Sequence, residues 1–171
     1  GIFDGCKALT TVTLKTTGPF ISNIPENAFR DCIKLTYITG LQGVTEIGKN
    51  SFNGCEELPS SSLDFDTLDK LVTIGERAFQ GCTALKTVDL NNSETLVTIV
   101  DTAFNGCTGV SGEEAIDFTG CSKLTSANFI SGFTKLDIIR EKCFYGCSAL
   151  TAVSFPLTIR RINAGAFNGC Y

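Results

Sequence analysis

Phe79-Gln80-Gly81-Cys82-Thr83-Ala84-Leu85-Lys86-Thr87-Val88-Asp89-Leu90 reads as a corner followed by an alternating strand, and its first four residues recur along the whole chain. Phe-x-Gly-Cys stands again at Phe3–Cys6, Phe52–Cys55, Phe104–Cys107, Phe118–Cys121, Phe144–Cys147 and Phe167–Cys170. Phe29-Arg30-Asp31-Cys32 carries Asp where the others carry Gly. Eight copies in 171 residues identify a repeat architecture, which decides the fold before any local reading does.

Counted from each Cys, one template covers most of the chain: Cys-x2-Leu-x2-Val-x-Leu, a variable stretch, then Leu-x2-Ile-x3-small-Phe-x-Gly-Cys. Units begin at Cys6, Cys32, Cys55, Cys82, Cys121 and Cys147, with Cys-to-Cys distances of 26, 23, 27, 25, 26 and 23 residues. The variable stretch after Leu14, Gly40, Leu63, Leu90, Phe129 and Phe155 accounts for 7, 4, 8, 6, 7 and 4 of these, so every unit keeps 19 fixed positions. Length variation confined to one segment is what a solenoid tolerates, because the rest stacks coil on coil. Cys107 opens a short unit. Only 14 residues separate it from Cys121, too few for a coil, and Thr108–Gly120 is expected to offset or kink the stack, with Ile116-Asp117-Phe118 doubling as a strand.

Val-x-Leu alternates with period two, so Thr11–Leu14, Thr87–Leu90 and their equivalents are expected to be short parallel strands. Leu-x2-Ile marks a second apolar edge. The x3-small-Phe stretch is expected to be a helical or 3₁₀ turn, and the Gly before each Cys to take φ > 0, where Asp31 is a tolerable substitute.

Leu-x2-Val-x-Leu followed by Ile-x3-Ala-Phe-x-Gly-Cys resembles the BspA-type leucine-rich repeat, also called the Treponema pallidum type. The resemblance covers nearly all of the chain outside Thr108–Gly120. It implies an α/β repeat fold: a curved solenoid with a parallel concave β-sheet and short helical or 3₁₀ turns, about six full coils plus the truncated unit. It also implies a surface protein linked to adhesion and to binding host matrix proteins. The array is read as one uncapped domain over 1–171, a segment of a longer protein, with self-association through its ends as a further possibility.

The net charge of −4 and the scattered basic residues argue against a nucleic-acid surface, and no apolar run reaches the ~18 residues of a membrane span. Eight of nine Cys occupy one repeat position; Cys143 replaces Ala28, Ala78, Ala103 and Ala166 at the small buried position. A ladder of buried thiols is the favoured reading, ahead of disulfides between coils or zinc. With no His the commonest general base is missing; no catalytic residue, metal or cofactor is expected.

What remains is surface. If Val88 and Leu90 point inward, their neighbours point outward on the concave sheet, and Tyr37, Thr39, Asp64, Thr87, Asp89 and Asn128 form the candidate binding face. Phe20, Phe65 and Phe133, which the template leaves without a role, are candidate loop contacts. Asn91-Asn92-Ser93 is an N-glycosylation sequon at a strand exit, where exposure is expected. The leading reading is a non-enzymatic adhesin module for a protein or glycan. The alternatives are a structural spacer without specific ligand and a cytoplasmic scaffold.

Overall fold

The computed structural model describes residues 1–14, 21–63, 65–91 and 93–171. Its strands, in chain order, are β1 (Thr11–Thr13), β2 (Asn23–Ile24), β3 (Tyr37–Thr39), β4 (Glu46–Ile47), β5 (Thr73–Ile74), β6 (Val88–Asp89), β7 (Thr98–Ile99), β8 (Ile116–Asp117), β9 (Ser126–Ala127), β10 (Ile138–Ile139), β11 (Ala152–Val153) and β12 (Arg161–Ile162). Every pairing is parallel, as coils of one hand require. β1 pairs with β3 and β6 with β8 at the Val-x-Leu positions; β2, β4, β5 and β7 form a four-stranded sheet at the Leu-x2-Ile positions. The chain is a β-solenoid of about six turns. Its helical share is small among the described residues: α1 (Ser60–Leu63) and 3₁₀ turns at Phe65–Thr67 and Asn128–Gly132, all in or beside variable stretches.

The register explains why the repeat has the residues it has. In-register pairs place Val12 on Ile38 and Ile24 on Ile47, Ile74 and Ile99, each column buried because period two turns alternate side chains inward. Phe3, Phe29, Phe52, Phe79 and Phe104 stack in a third column, with ring centroids 5.5, 5.3, 5.3 and 5.2 Å apart and near-parallel planes. Offset stacking at this spacing adds to area burial.

The Phe-x-Gly-Cys corner is laddered as well: the Phe52 N–H donates to Ala78 O at 2.8 Å and the Phe79 N–H to Ala103 O at 2.8 Å. Gly81 takes φ 74° and Asp31 φ 56°, so the left-handed position before each Cys is as expected. The x3-small-Phe stretch departs from the expected helical turn. Asn27, Asn50, Arg77 and Lys142, two residues before Phe, take φ of 55°, 53°, 56° and 61°. A left-handed residue there ends a right-handed helical path, and the segment forms hydrogen-bonded turns instead.

The short unit rotates the repeat. Ile116 and Asp117 pair with Val88 and Asp89, so Phe118 falls over Leu90, the strand exit, and not over Phe104. The Cys121 thiol accordingly donates to Leu90 O at 3.1 Å, where the thiols of Cys32, Cys55, Cys82, Cys107, Cys147 and Cys170 donate to a Phe carbonyl. Phe118 starts a new column with Phe144 and Phe167, centroids 5.4 and 5.1 Å apart. β9 moves to the other side, packing on β7, with the Thr125 N–H donating to Val97 O at 3.2 Å. The expected offset is therefore a phase shift around the coil.

Candidate functional site

The third unit interrupts the first sheet. Its template position for an inward Val or Ile is Ser61, and Pro59-Ser60-Ser61-Ser62 has no apolar residue to anchor a strand. The segment forms α1, and β3 and β6 lose the strand between them. Serine hydroxyls take over part of the lost ladder. Ser60 Oγ accepts from the Lys86 N–H at 3.0 Å and the Thr87 N–H at 2.8 Å. In the regular coils the equivalent pair of N–H groups, on Thr36 and Tyr37, both donate to Thr10 O. Ser62 Oγ donates to Thr36 O at 2.6 Å.

A cleft opens on each side of α1. One, of ≈ 540 Å³, has Pro59, Phe65 and Ala84 among its walls, with Lys86, Thr87 and Asp89 at its rim. The other, of ≈ 480 Å³, runs along β3 past Tyr37, Thr39 and Gln42 to Ser61 and Thr67. Both fall in the size range of ligand sites. Tyr37 is 50% exposed, the largest open aromatic surface of this face.

Beside the first cleft, two aspartates stand in register. Asp89 Oδ1 accepts from the Asn91 N–H at 3.2 Å and from Asn91 Nδ2 at 2.7 Å. One layer on, Asp117 Oδ1 accepts from the Thr119 N–H at 2.9 Å and from Thr119 Oγ1 at 2.7 Å, while Oδ2 pairs with Arg140. Each carboxylate thus closes a turn at the strand exit. Asp117 belongs to this face and was not singled out from the sequence, although Ile116-Asp117-Phe118 repeats the apolar-Asp-apolar pattern of Val88-Asp89-Leu90.

The structure therefore divides the expected binding face. Tyr37 and Thr39 line one cleft, and Thr87 and Asp89 the other. Asn128 is elsewhere: the phase shift carries it into the 3₁₀ turn after β9, where its Oδ1 accepts from Ser154 Oγ at 2.8 Å. Asp64 and Phe20 lie outside the described residues. Phe65 and Phe133 are not surface contacts. Phe65, 5% exposed, meets Phe79 edge-on at 6.1 Å, and Phe133, fully buried, packs on Phe104 at 5.4 Å, filling the place the interrupted Phe column leaves. The expected exposure of the sequon is also corrected: Asn91 is half-buried and Ser93 is 4% exposed.

Seven of the nine cysteines form the expected buried thiol ladder, while Cys6 is exposed and Cys170 half-buried. Cys55, Cys82 and Cys107 are buried, and their thiols donate to Phe29, Phe52 and Phe79 O in the preceding coil at 3.1, 3.2 and 3.0 Å. Burial pushes the Cys107, Cys121, Cys143 and Cys147 thiols up to about 12, far from the reactive thiolate. Among the described residues no three His, Cys, Asp or Glu side chains are grouped to hold a metal ion, and no helix is long and apolar enough to cross a membrane.

A family profile described as the BspA type leucine rich repeat region matches six copies, over residues 1–111 and 60–171. No curated protein matches the chain. Similar solved structures include a leucine-rich repeat protein from Bacteroides ovatus (24% identity, TM-score 0.45, covering 98% of this chain and 66% of that one). A second, from Eubacterium ventriosum, is 25% identical with TM-score 0.40, covering 97% and 44%. A third, described as a leucine rich cell surface protein from Faecalibacterium prausnitzii, is 21% identical with TM-score 0.38, covering 95% and 40%. The chain thus spans from about two fifths to just under two thirds of these proteins.

Proposed function

The chain belongs to the BspA-type leucine-rich repeat family, and from that premise we propose that it is a non-enzymatic binding module of a cell-surface or secreted protein, an adhesin segment. Its binding face is the stretch of the first sheet opened by α1. The observation that carries the reading is the pair of clefts there, ≈ 540 and ≈ 480 Å³, where Tyr37, Gln42 and Lys86 add polar and aromatic surface beside core residues such as Ile38 and Phe65. Lys86 and Tyr37 are exposed, and Gln42 is half-buried, beside a rigid stacked core. Rigid scaffolds that display variable surface in this way bind without ordering themselves first, which lowers the entropic cost of association.

The test is attachment. The parent array and the variant Tyr37→Ala/Gln42→Ala/Lys86→Ala are compared on immobilised extracellular-matrix proteins and on an oligosaccharide array. These substitutions remove outward side chains and leave the melting temperature within the range of surface changes, about ±0.5 kcal/mol. The expected result is retained melting with lost attachment. An array that binds none of these surfaces, or a variant that binds as the parent does, overturns the assignment of this face.

A further inference from the structure

We infer that the ≈ 480 Å³ cleft takes an extended peptide segment, paired main chain to main chain with the open edge of β3; the inference rests on the binding-module reading above. Ile38 lines this cleft although its residue surface is only 1% exposed. With the side chain in the core, what it presents is backbone. The hydrogen bonds give the direction. The Tyr37 N–H donates to Thr10 O at 3.2 Å and the Leu14 N–H to Thr39 O at 2.9 Å, so residues 37 and 39 face β1. In a parallel ladder alternate residues face opposite partners. The N–H and C=O of Ile38 therefore point toward the missing third strand, and neither takes a hydrogen-bond partner among the described residues.

The opposite bank has the same defect. The Val88 N–H donates to Ala115 O and the Leu90 N–H to Asp117 O, both at 2.8 Å, which turns those residues toward β8. The main chain of Asp89 is thereby turned toward α1. α1 stands in the layer between β3 and β6 and holds its strand-entry end through the Ser60 and Ser62 hydroxyls, and the cleft beside it reaches the main chain of Ile38. An extended peptide offers N–H and C=O groups in the alternation Ile38 requires, while Tyr37, Thr39 and Gln42 flank alternate side-chain positions. Backbone pairing supplies affinity in strand addition and such flanking positions supply selectivity.

The probe is the hexapeptide Leu-Thr-Thr-Val-Thr-Leu, the chain's own Leu9–Leu14 strand sequence, titrated to millimolar concentration against the isotopically labelled array. Two further peptides carry N-methyl groups on one or the other alternate set of amides. An oligosaccharide panel is run in parallel. The expected result is a shift and slowed hydrogen exchange at the Ile38 amide, lost about tenfold or more in affinity with one N-methylated set and kept with the other. An Ile38 amide unchanged at millimolar peptide, or equal tolerance of both N-methylated sets, overturns the inference. Oligosaccharides that bind through Tyr37 while Ile38 continues to exchange overturn it too, yet leave the binding-module reading standing. The attachment comparison with the triple variant decides that reading separately.

Discussion

Ser51 shows how one residue departs from its repeat. It holds the small position filled elsewhere by Ala28, Ala78, Ala103, Cys143 and Ala166, it is fully buried, and its hydroxyl has no hydrogen-bond partner among the described residues. A buried unsatisfied hydroxyl costs about 1–3 kcal/mol, so Ser51→Ala is expected to raise stability by ~1 kcal/mol in denaturant unfolding. A loss of stability would mean the hydroxyl is bonded after all. At this scale the sequence was informative wherever the backbone has a single solution. Asp31 in place of Gly announced its left-handed conformation, and φ 56° agrees. The second left-handed position was harder to see. Asn27, Asn50 and Gly165 carry the usual signal, but Arg77 and Lys142 adopt the same conformation without it, held there by the laddered corner on either side.

At the scale of elements, the strand columns were legible because Val88, Leu90, Ile74 and their equivalents must all face one core. α1 was not, since the sole hint was the absence of an apolar residue at Ser61. The phase shift was not legible either: it depends on which coil edge Ile116 meets, and Val88 offers a better continuation than the turn after Phe104. The consequence for the site is concrete, because Asn128 leaves the face that Thr87 and Asp89 share. Two outcomes test these elements. Ser60→Ala removes the acceptor of two N–H groups and is expected to cost about 1–3 kcal/mol; Ser60→Thr, which keeps the oxygen, should cost less. Phe79, fully buried between Phe52 and Phe104 and edge-on to Phe65, is the anchor of its column. Phe79→Ala is expected to cost ~3–5 kcal/mol by calorimetry, with amide protection lost first in the adjoining coils.

For the whole molecule, the thiol ladder links stability to pH. Folded Cys107, Cys121, Cys143 and Cys147 hold their protons to about 12, through burial, against an ordinary value of 9.0. The unfolded chain releases these protons first. Stability is therefore complete below pH ~9 and falls as pH rises from there toward 12, at up to ~1.4 kcal/mol per pH unit for each buried thiol. Urea unfolding at pH 8, 9.5 and 10.5 should show the decline, and Cys107→Ala should make it shallower by that one thiol's share; a pH-independent midpoint would contradict the buried ladder. The same stacked core makes the molecule a rigid frame around one break, and that break is the centre of the account: a parallel sheet interrupted at Ser60–Leu63, leaving main-chain edges open on β3 and β6. Native-state amide exchange of the free array tests this most directly. Tyr37 and Leu90, bonded to Thr10 and Asp117, should exchange slowly. Ile38 and Asp89, one residue away from each, should exchange faster by about two orders of magnitude or more. Equal protection at all four amides would show a continuous sheet through the third unit and contradict the open site.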